Sequence, residues 1–239
     1  MSDVAVIGEP QCRKASQRPS PSPESKTESR QRGRPPVSGD ALAERQAGVL
    51  CAAGQLLAEK SSSDITVEQL IQVAGTSRPT FYRWFPGGIE QVVEMLIARA
   101  NQDLVGRVVA AVAENAGLEP RIEAGIRAYF EWGRDMGPVV YGIYREGFDE
   151  ASPAWRYRQQ TIATIVGIVR QQAEALGFAH VSELSIETLV NWIESAGATL
   201  FRHYPVQAEQ IEEQRWLTTE MFLAMIDVVR GDKRGGVGE

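Results

Sequence analysis

Residues 65–85 read I-T-V-E-Q-L-I-Q-V-A-G-T-S-R-P-T-F-Y-R-W-F, and this stretch decides the fold. Two short helical patterns flank a glycine, which is the arrangement a helix-turn-helix requires. Thr66 stands where a hydroxyl can cap a first helix, and Val67, Leu70, Ile71 and Ala74 fall at i, i+3, i+4 and i+7 on one face. Gly75 supplies the residue that turns the chain with positive φ at little steric cost. Ser77 can cap a second helix whose first turn holds Pro79, where the missing amide has no intrahelical partner to lose. With that amide absent, the Ser77 hydroxyl is expected to cap the amide of Thr80. The second helix carries Arg78, Thr80, Tyr82, Arg83 and Trp84 and no acid. Hydroxyls, arginines and aromatics gathered at one end of a short helix suit the major groove of DNA. Phe81 and Phe85 are assigned instead to a small core beneath it.

The rest of the chain sets limits on that reading. At 239 residues, 43% of them apolar, the chain is long enough to bury a sizeable core. No apolar run approaches the ~18 residues of a membrane span, and the N-terminus lacks a signal-peptide pattern. A cytoplasmic protein with no membrane partner is expected. Cys12 lies in a polar stretch and Cys51 in an apolar helical pattern, so no disulfide is expected and Cys51 reads as a small core residue. The net charge of -6 looks wrong for a nucleic-acid binder until it is divided. Of 25 basic and 31 acidic residues, seven and four lie in residues 1–38, so that segment is basic and the remainder carries the acidity. Net charge therefore does not exclude contact with phosphate.

Residues 1–38 are rich in Ser, Pro, Gln and Arg and lack apolar periodicity, so they read as a disordered basic arm. The arm ends in Arg32-Gly33-Arg34-Pro35-Pro36, similar to the core of an AT-hook, in which Arg32 and Arg34 would enter a narrow minor groove. A solvated basic linker is the plainer alternative. From residue 39 onward no segment shows sustained alternation, and the chain reads as all-α. A first helix over about 40–60 precedes the two motif helices, and together they make a three-helix domain over 39–88. A long helix from Ile89 towards Asn115 opens a second helical domain over 89–230. It continues as segments at about 119–136, from Pro138 to 149, from Ser152-Pro153 to Gly177, and at 184–204 and 207–230; a flexible tail follows at 231–239. The last two segments each carry two apolar faces. In the final one Leu217, Met221, Ala224, Met225 and Val228 form one stripe and Phe222, Ile226 and Val229 another. Two such helices per protomer suit a four-helix interface in a homodimer, with Gly197-Ala198 allowing close helix approach.

Residues 45–85 resemble the DNA-binding domain of the tetracycline-repressor (TetR) family of bacterial transcription regulators. Arg45, Val49-Leu50, Ala52-Ala53 and Leu56-Leu57 stand in the family's order on the first helix. Thr66-Val67, Leu70, Ala74-Gly75, Ser77, Thr80, Tyr82 and Phe85 follow in the motif. The resemblance implies a dimer that binds double-stranded DNA at a palindromic operator and answers a small-molecule effector. By position it implies that Thr66 and Ser77 meet phosphate or cap helices and that Arg78, Pro79 and Thr80 face bases. Tyr82 and Trp84 would touch backbone and a thymine methyl, with Arg83 beside them. Two departures stand out: Thr76 replaces a usual Val, and Gly88 stands where the family carries a phosphate-binding Lys.

The family's C-terminal half holds a ligand cavity, and here residues 119–204 are dense in aromatics. Tyr129, Trp132, Tyr141, Tyr144, Trp155 and Trp192, with Arg145 and Asn191 as polar anchors, are the candidate ligand-binding residues. Arg127, Glu146 and His203 are further candidate anchors. An apolar or aromatic effector is expected; each aromatic could equally be core. No metal-ligand spacing, phosphate loop or nucleophile elbow is present, so neither a cofactor, a metal nor an enzyme is expected. The competing readings are a transcriptional activator of the same fold and a helical lipid- or small-molecule-binding module that does not bind DNA.

Overall fold

The computed structural model describes residues 39–175, 177 and 181–231. The arm 1–38 and the tail beyond Gly231 therefore lie outside the described residues. Within them the chain is helical, with a single 3-10 turn at Ser62–Asp64 and no strand. Helix α1 spans Gly39–Glu59, α2 Val67–Ala74, α3 Arg78–Trp84 and α4 Gly88–Ala113. Helices α5 (Leu118–Met136), α6 (Val139–Gly147), α7 (Ala154–Ala175), α8 (Glu183–Phe201) and α9 (Ala208–Gly231) complete the bundle.

The boundaries follow local chemistry. Thr66 accepts from the Gln69 amide while the Gln69 side chain accepts from the Thr66 amide, a reciprocal capping box that starts α2. Gly75 ends α2 at φ 61°, a left-handed conformation that glycine enters without a Cβ penalty. Ser77 departs from expectation: its hydroxyl makes no cap to backbone and donates instead to Thr80 Oγ1 at 2.9 Å. The two hydroxyls satisfy each other at a helix start already relieved of one donor by Pro79. Phe81 and Phe85 are fully buried, with ring centroids 5.7 Å apart, against Val49, Leu57 and Leu70. They fix the short α3, which seven residues of intrinsic propensity could not stabilise alone. Cys51 is half-buried on α1 rather than deep in the core. Cys12 lies outside the described residues.

Helices α4 to α9 pack around a core continuous with that of the first three. Two close approaches shape it. A Cβ on Gly142 of α6 would stand 2.3 Å from the Leu57 carbonyl oxygen of α1, and one on Gly197 of α8 would stand 2.1 Å from Tyr129 Oη of α5. Gly197 therefore serves packing inside the subunit rather than an approach between subunits. On α9 Phe222 is buried and Ile226 packs against the core, whereas Leu217, Met221 and Ala224 are exposed. The final helix thus leaves Leu217, Met221 and Ala224 of one apolar stripe uncovered, while Met225 of the same stripe packs against the core.

Because Gly142 faces backbone, its neighbour cannot yield by a rotamer change. Gly142→Ala should destabilise the fold by roughly 1–3 kcal/mol, the usual cost of overpacking. Gly106→Ala, in α4 with nothing within 4 Å of the new methyl, should be neutral or gain roughly 0.5–1 kcal/mol. Denaturant unfolding of both variants checks the contrast.

Candidate nucleic-acid interface and ligand cavity

The buried phenylalanines of α3 dictate what its other face shows. Thr66, Ser77, Arg78, Pro79, Tyr82 and Arg83 are exposed, and Thr80 and Trp84 half-buried. The motif thus brings all eight residues from Thr66 to Trp84 named as DNA-contacting to the surface of two adjoining helices; Arg32 and Arg34 lie outside the described residues. Phe81 holds the Tyr82 ring edge-on at 5.3 Å, and the Arg78 guanidinium sits 5.9 Å over that ring. Arg78 is also ion-paired with Glu68 of α2, an acid whose approach no feature of α3 itself reveals. Both side chains are more than half exposed, so the pair is weak and open to exchange for a phosphate or a base. Gly88 takes φ 68° at the start of α4. A lysine held at that φ would be strained.

A second feature lies among α4–α9. A cavity of about 220 Å³ runs between them. Its wall includes Ile97, Leu104 and Val112 of α4, with Asn101 and Val108 between them in the same stripe, and residues from Ala154 to Ala173 of α7. On α7 that stretch is roughly 28 Å long at 1.5 Å per residue, so the space is a narrow channel rather than a round pocket. The lining is mostly Ile, Leu and Val. Of the sequence-proposed ligand residues Tyr129, Trp132 and Tyr144 are on the wall; Tyr141, Arg145, Trp155, Asn191 and Trp192 are not among those lining it. Asn191 accepts from Arg158 and donates to the Glu187 carbonyl. Arg145 sits beside Tyr141, 6.0 Å from its ring, and turns towards α1. Of the further candidate anchors, Arg127 and His203 are exposed.

The channel's polar groups come from elsewhere. Arg158 of α7 makes a bidentate ion pair with Glu194 of α8, both largely buried. It also lies 4.4 Å from the Phe148 ring centroid. Tyr129 and Tyr144 share a hydroxyl–hydroxyl bond of 2.5 Å, and burial pushes both phenols above their ordinary range, so they remain neutral donors. Trp132 is almost fully buried and its Nε1–H has no partner among the described residues. That leaves a donor for an acceptor on a bound molecule. Nothing in the spacing along the chain signals Arg158 and Glu194, because the pair joins separate helices. Among the described residues no group of three metal-ligating side chains occurs, and no helix is long and apolar enough to cross a membrane.

No protein-family model matches the chain. It is 33% identical over 204 residues to the HTH-type transcriptional regulator EthR of Mycobacterium tuberculosis, covering 82% of this chain and 91% of that protein. It is 25% identical over 203 residues to an HTH-type transcriptional regulator of Haemophilus influenzae, covering 80% and 94%. Among solved structures, a tetR-family regulator from Streptomyces coelicolor superposes with a TM-score of 0.57 at 22% identity, covering 78% of this chain and 82% of that one. The fatty acid degradation regulator FadR from Bacillus halodurans gives 0.62 at 12% identity, covering 73% and 94%, and shows the same fold.

Replacing Arg78 and Thr80 together by Ala should weaken binding to a specific site by about thirtyfold or more, at ~1–3 kcal/mol for each good base contact, without lowering the melting temperature. Fluorescence anisotropy at fixed salt, beside a thermal melt, measures both. Unchanged affinity would remove α3 from recognition.

Proposed function

The chain belongs to the TetR family of transcriptional regulators, and we propose that it is a cytoplasmic, homodimeric repressor released from a palindromic operator by an elongated apolar effector. DNA binding and transcriptional regulation come with that membership, and the protein is not an enzyme. The proposed division is a basic arm at 1–38, a DNA-reading unit at 39–88, an effector and dimerisation unit at 89–230 and a tail at 231–239. The uncovered apolar residues of α9, with Trp216 60% exposed beside Leu217 and Met221, support a partner helix packed against them. Two-fold pairing through α8 and α9 would place two copies of α3 along one face of a duplex.

The observation that carries the ligand-coupled reading is the two-sidedness of α6. Ile143, Tyr144 and Gly147 face the channel, while the adjoining Arg145 and Glu146 grip the DNA-reading unit. Arg145 donates to the carbonyls of Leu57 (2.7 Å) and Lys60 (2.5 Å) at the end of α1. Glu146, only 1% exposed, accepts from Ser61 Oγ, Ser62 N and Ser62 Oγ on the turn leading to α2, and from Ser152 Oγ. Burial pushes the Glu146 carboxyl pKa up, but the hydrogen bonds from Ser62, Ser152 and Ser61 outweigh it and hold the group below its ordinary range. A molecule that displaces Tyr144 would therefore move the end of α1 and the turn before α2 together. Coupling of this kind needs 1–3 kcal/mol or so, a 5–150-fold change in affinity.

Selection of bound DNA from a random pool, repeated with a panel of apolar metabolites, tests the reading. Enrichment of an inverted repeat and its loss with an apolar ligand are the expected results; a ligand that binds without changing operator affinity would count against it. Glu146→Gln should keep ligand affinity within about twofold but bring the ligand's 5–150-fold or so effect on DNA towards one. Deleting residues 1–38 should weaken operator binding and flatten its salt dependence, since each lost phosphate contact lowers the slope by roughly 0.9. Unchanged affinity and slope would exclude the arm.

A further inference from the structure

Two arginines line the channel, and they differ in what they face. Arg158 is neutralised by Glu194. Arg121, near the start of α5, has only neutral acceptors: its Nε donates to the Asn115 carbonyl at 3.0 Å and its NH1 to Gln172 Oε1 at 2.5 Å. Among the described residues no carboxylate lies within ion-pair distance of it. Arg121 and Gln172 stand with Val112 and Leu118 at one end of the channel, and Arg158 with Ile97 and Tyr144 at the other. Gln172 and Arg158 are fourteen residues apart on α7, roughly 21 Å. The space between is aliphatic.

An uncompensated guanidinium at the edge of a low-dielectric space is an electrostatic vacancy of one negative charge. Its Nε holds the Asn115 carbonyl just beyond α4, and the remaining N–H groups in its fork suit a planar or tetrahedral oxyanion. We propose that Arg121, with Gln172 beside it, binds the anionic head of a ligand whose apolar chain runs along α7 towards Trp132 and Tyr144. This inference rests on the channel being the effector site. It adds the sign of the ligand's charge and the direction in which the ligand lies.

Full-length protein titrated with hexadecanoic acid, hexadecyl phosphate and methyl hexadecanoate, each below its micelle concentration, tests this through the intrinsic tryptophan emission, to which Trp132 on the channel wall contributes. At least one of the two anions should bind about tenfold or more tightly than the ester, as a charge-assisted hydrogen bond implies; which anion leads identifies the head group. Arg121→Met should abolish that preference by lowering affinity for the anions relative to the ester, and Arg121→Lys should restore part of it. Should Arg121→Met fail to fold, Gln172→Glu neutralises Arg121 in place and should remove the preference equally. Equal binding of acid, phosphate and ester, a preference that survives Gln172→Glu, or no binding of either anion would each overturn the proposal. An anion that binds by these criteria yet leaves operator affinity unchanged would instead overturn coupling through α6 and leave the anion site standing.

Discussion

The buried carboxylate of Glu146 is the constraint on which the arrangement of the molecule depends. A carboxylate removed from water is costly unless its lone pairs are filled, and here three serine hydroxyls and an amide fill them. Two of those serines, Ser61 and Ser62, belong to the turn between α1 and α2. The need to solvate one charge therefore ties the helix-turn-helix to the bundle. Arg145 adds a second tie by taking up carbonyls at the end of α1 that the helix itself leaves unpaired. An apolar contact would hold the two parts together over a range of angles; a satisfied buried charge tolerates far fewer.

Electrostatics also shapes the reading face. A chain of net charge -6 approaches DNA with its overall field opposed. Locally α3 presents Arg78 and Arg83, with Arg78 shared with Glu68. This exposed pair gives Arg78 a resting place over Tyr82, and on the proposed reading a phosphate or a base edge would replace Glu68 at little energetic cost. On the proposed reading, so few cations would need two copies acting together, and the basic arm would add to them.

Much of the fold was legible because its signals are local. The i, i+3, i+4 pattern of Val67, Leu70, Ile71 and Ala74, the Thr66 cap and Gly75 lie within a few residues of each other, and the helices end within a few residues of where the pattern stops. The exposed face of α3 follows from the same periodicity once Phe81 and Phe85 are buried. The channel was less legible. Aromatic density drew attention to Tyr141, Trp155 and Trp192, yet the wall is mainly aliphatic, and Ile or Val in a core helix looks the same whether it faces a neighbour or a void. Arg158 with Glu194, Arg121 with Gln172 and Glu146 with Ser61 are pairings between distant helices; no spacing rule contains them. Ser77 shows the reverse failure: a local rule assigned its hydroxyl to a backbone amide, and the neighbouring Thr80 hydroxyl took it.

Gly142 gives this joint its mechanical character. With no side chain between α6 and the Leu57 carbonyl, the two helices meet backbone against backbone, and a methyl group would already be too large at 2.3 Å. Soft side chains at such a bearing would absorb a displacement of a few tenths of an ångström by changing rotamer. Here there is nothing to compress, so under the proposed coupling a small turn of α6 would reach α1 with little lost in the bearing, and the length of the lever from there to α3 would set how far that helix swings.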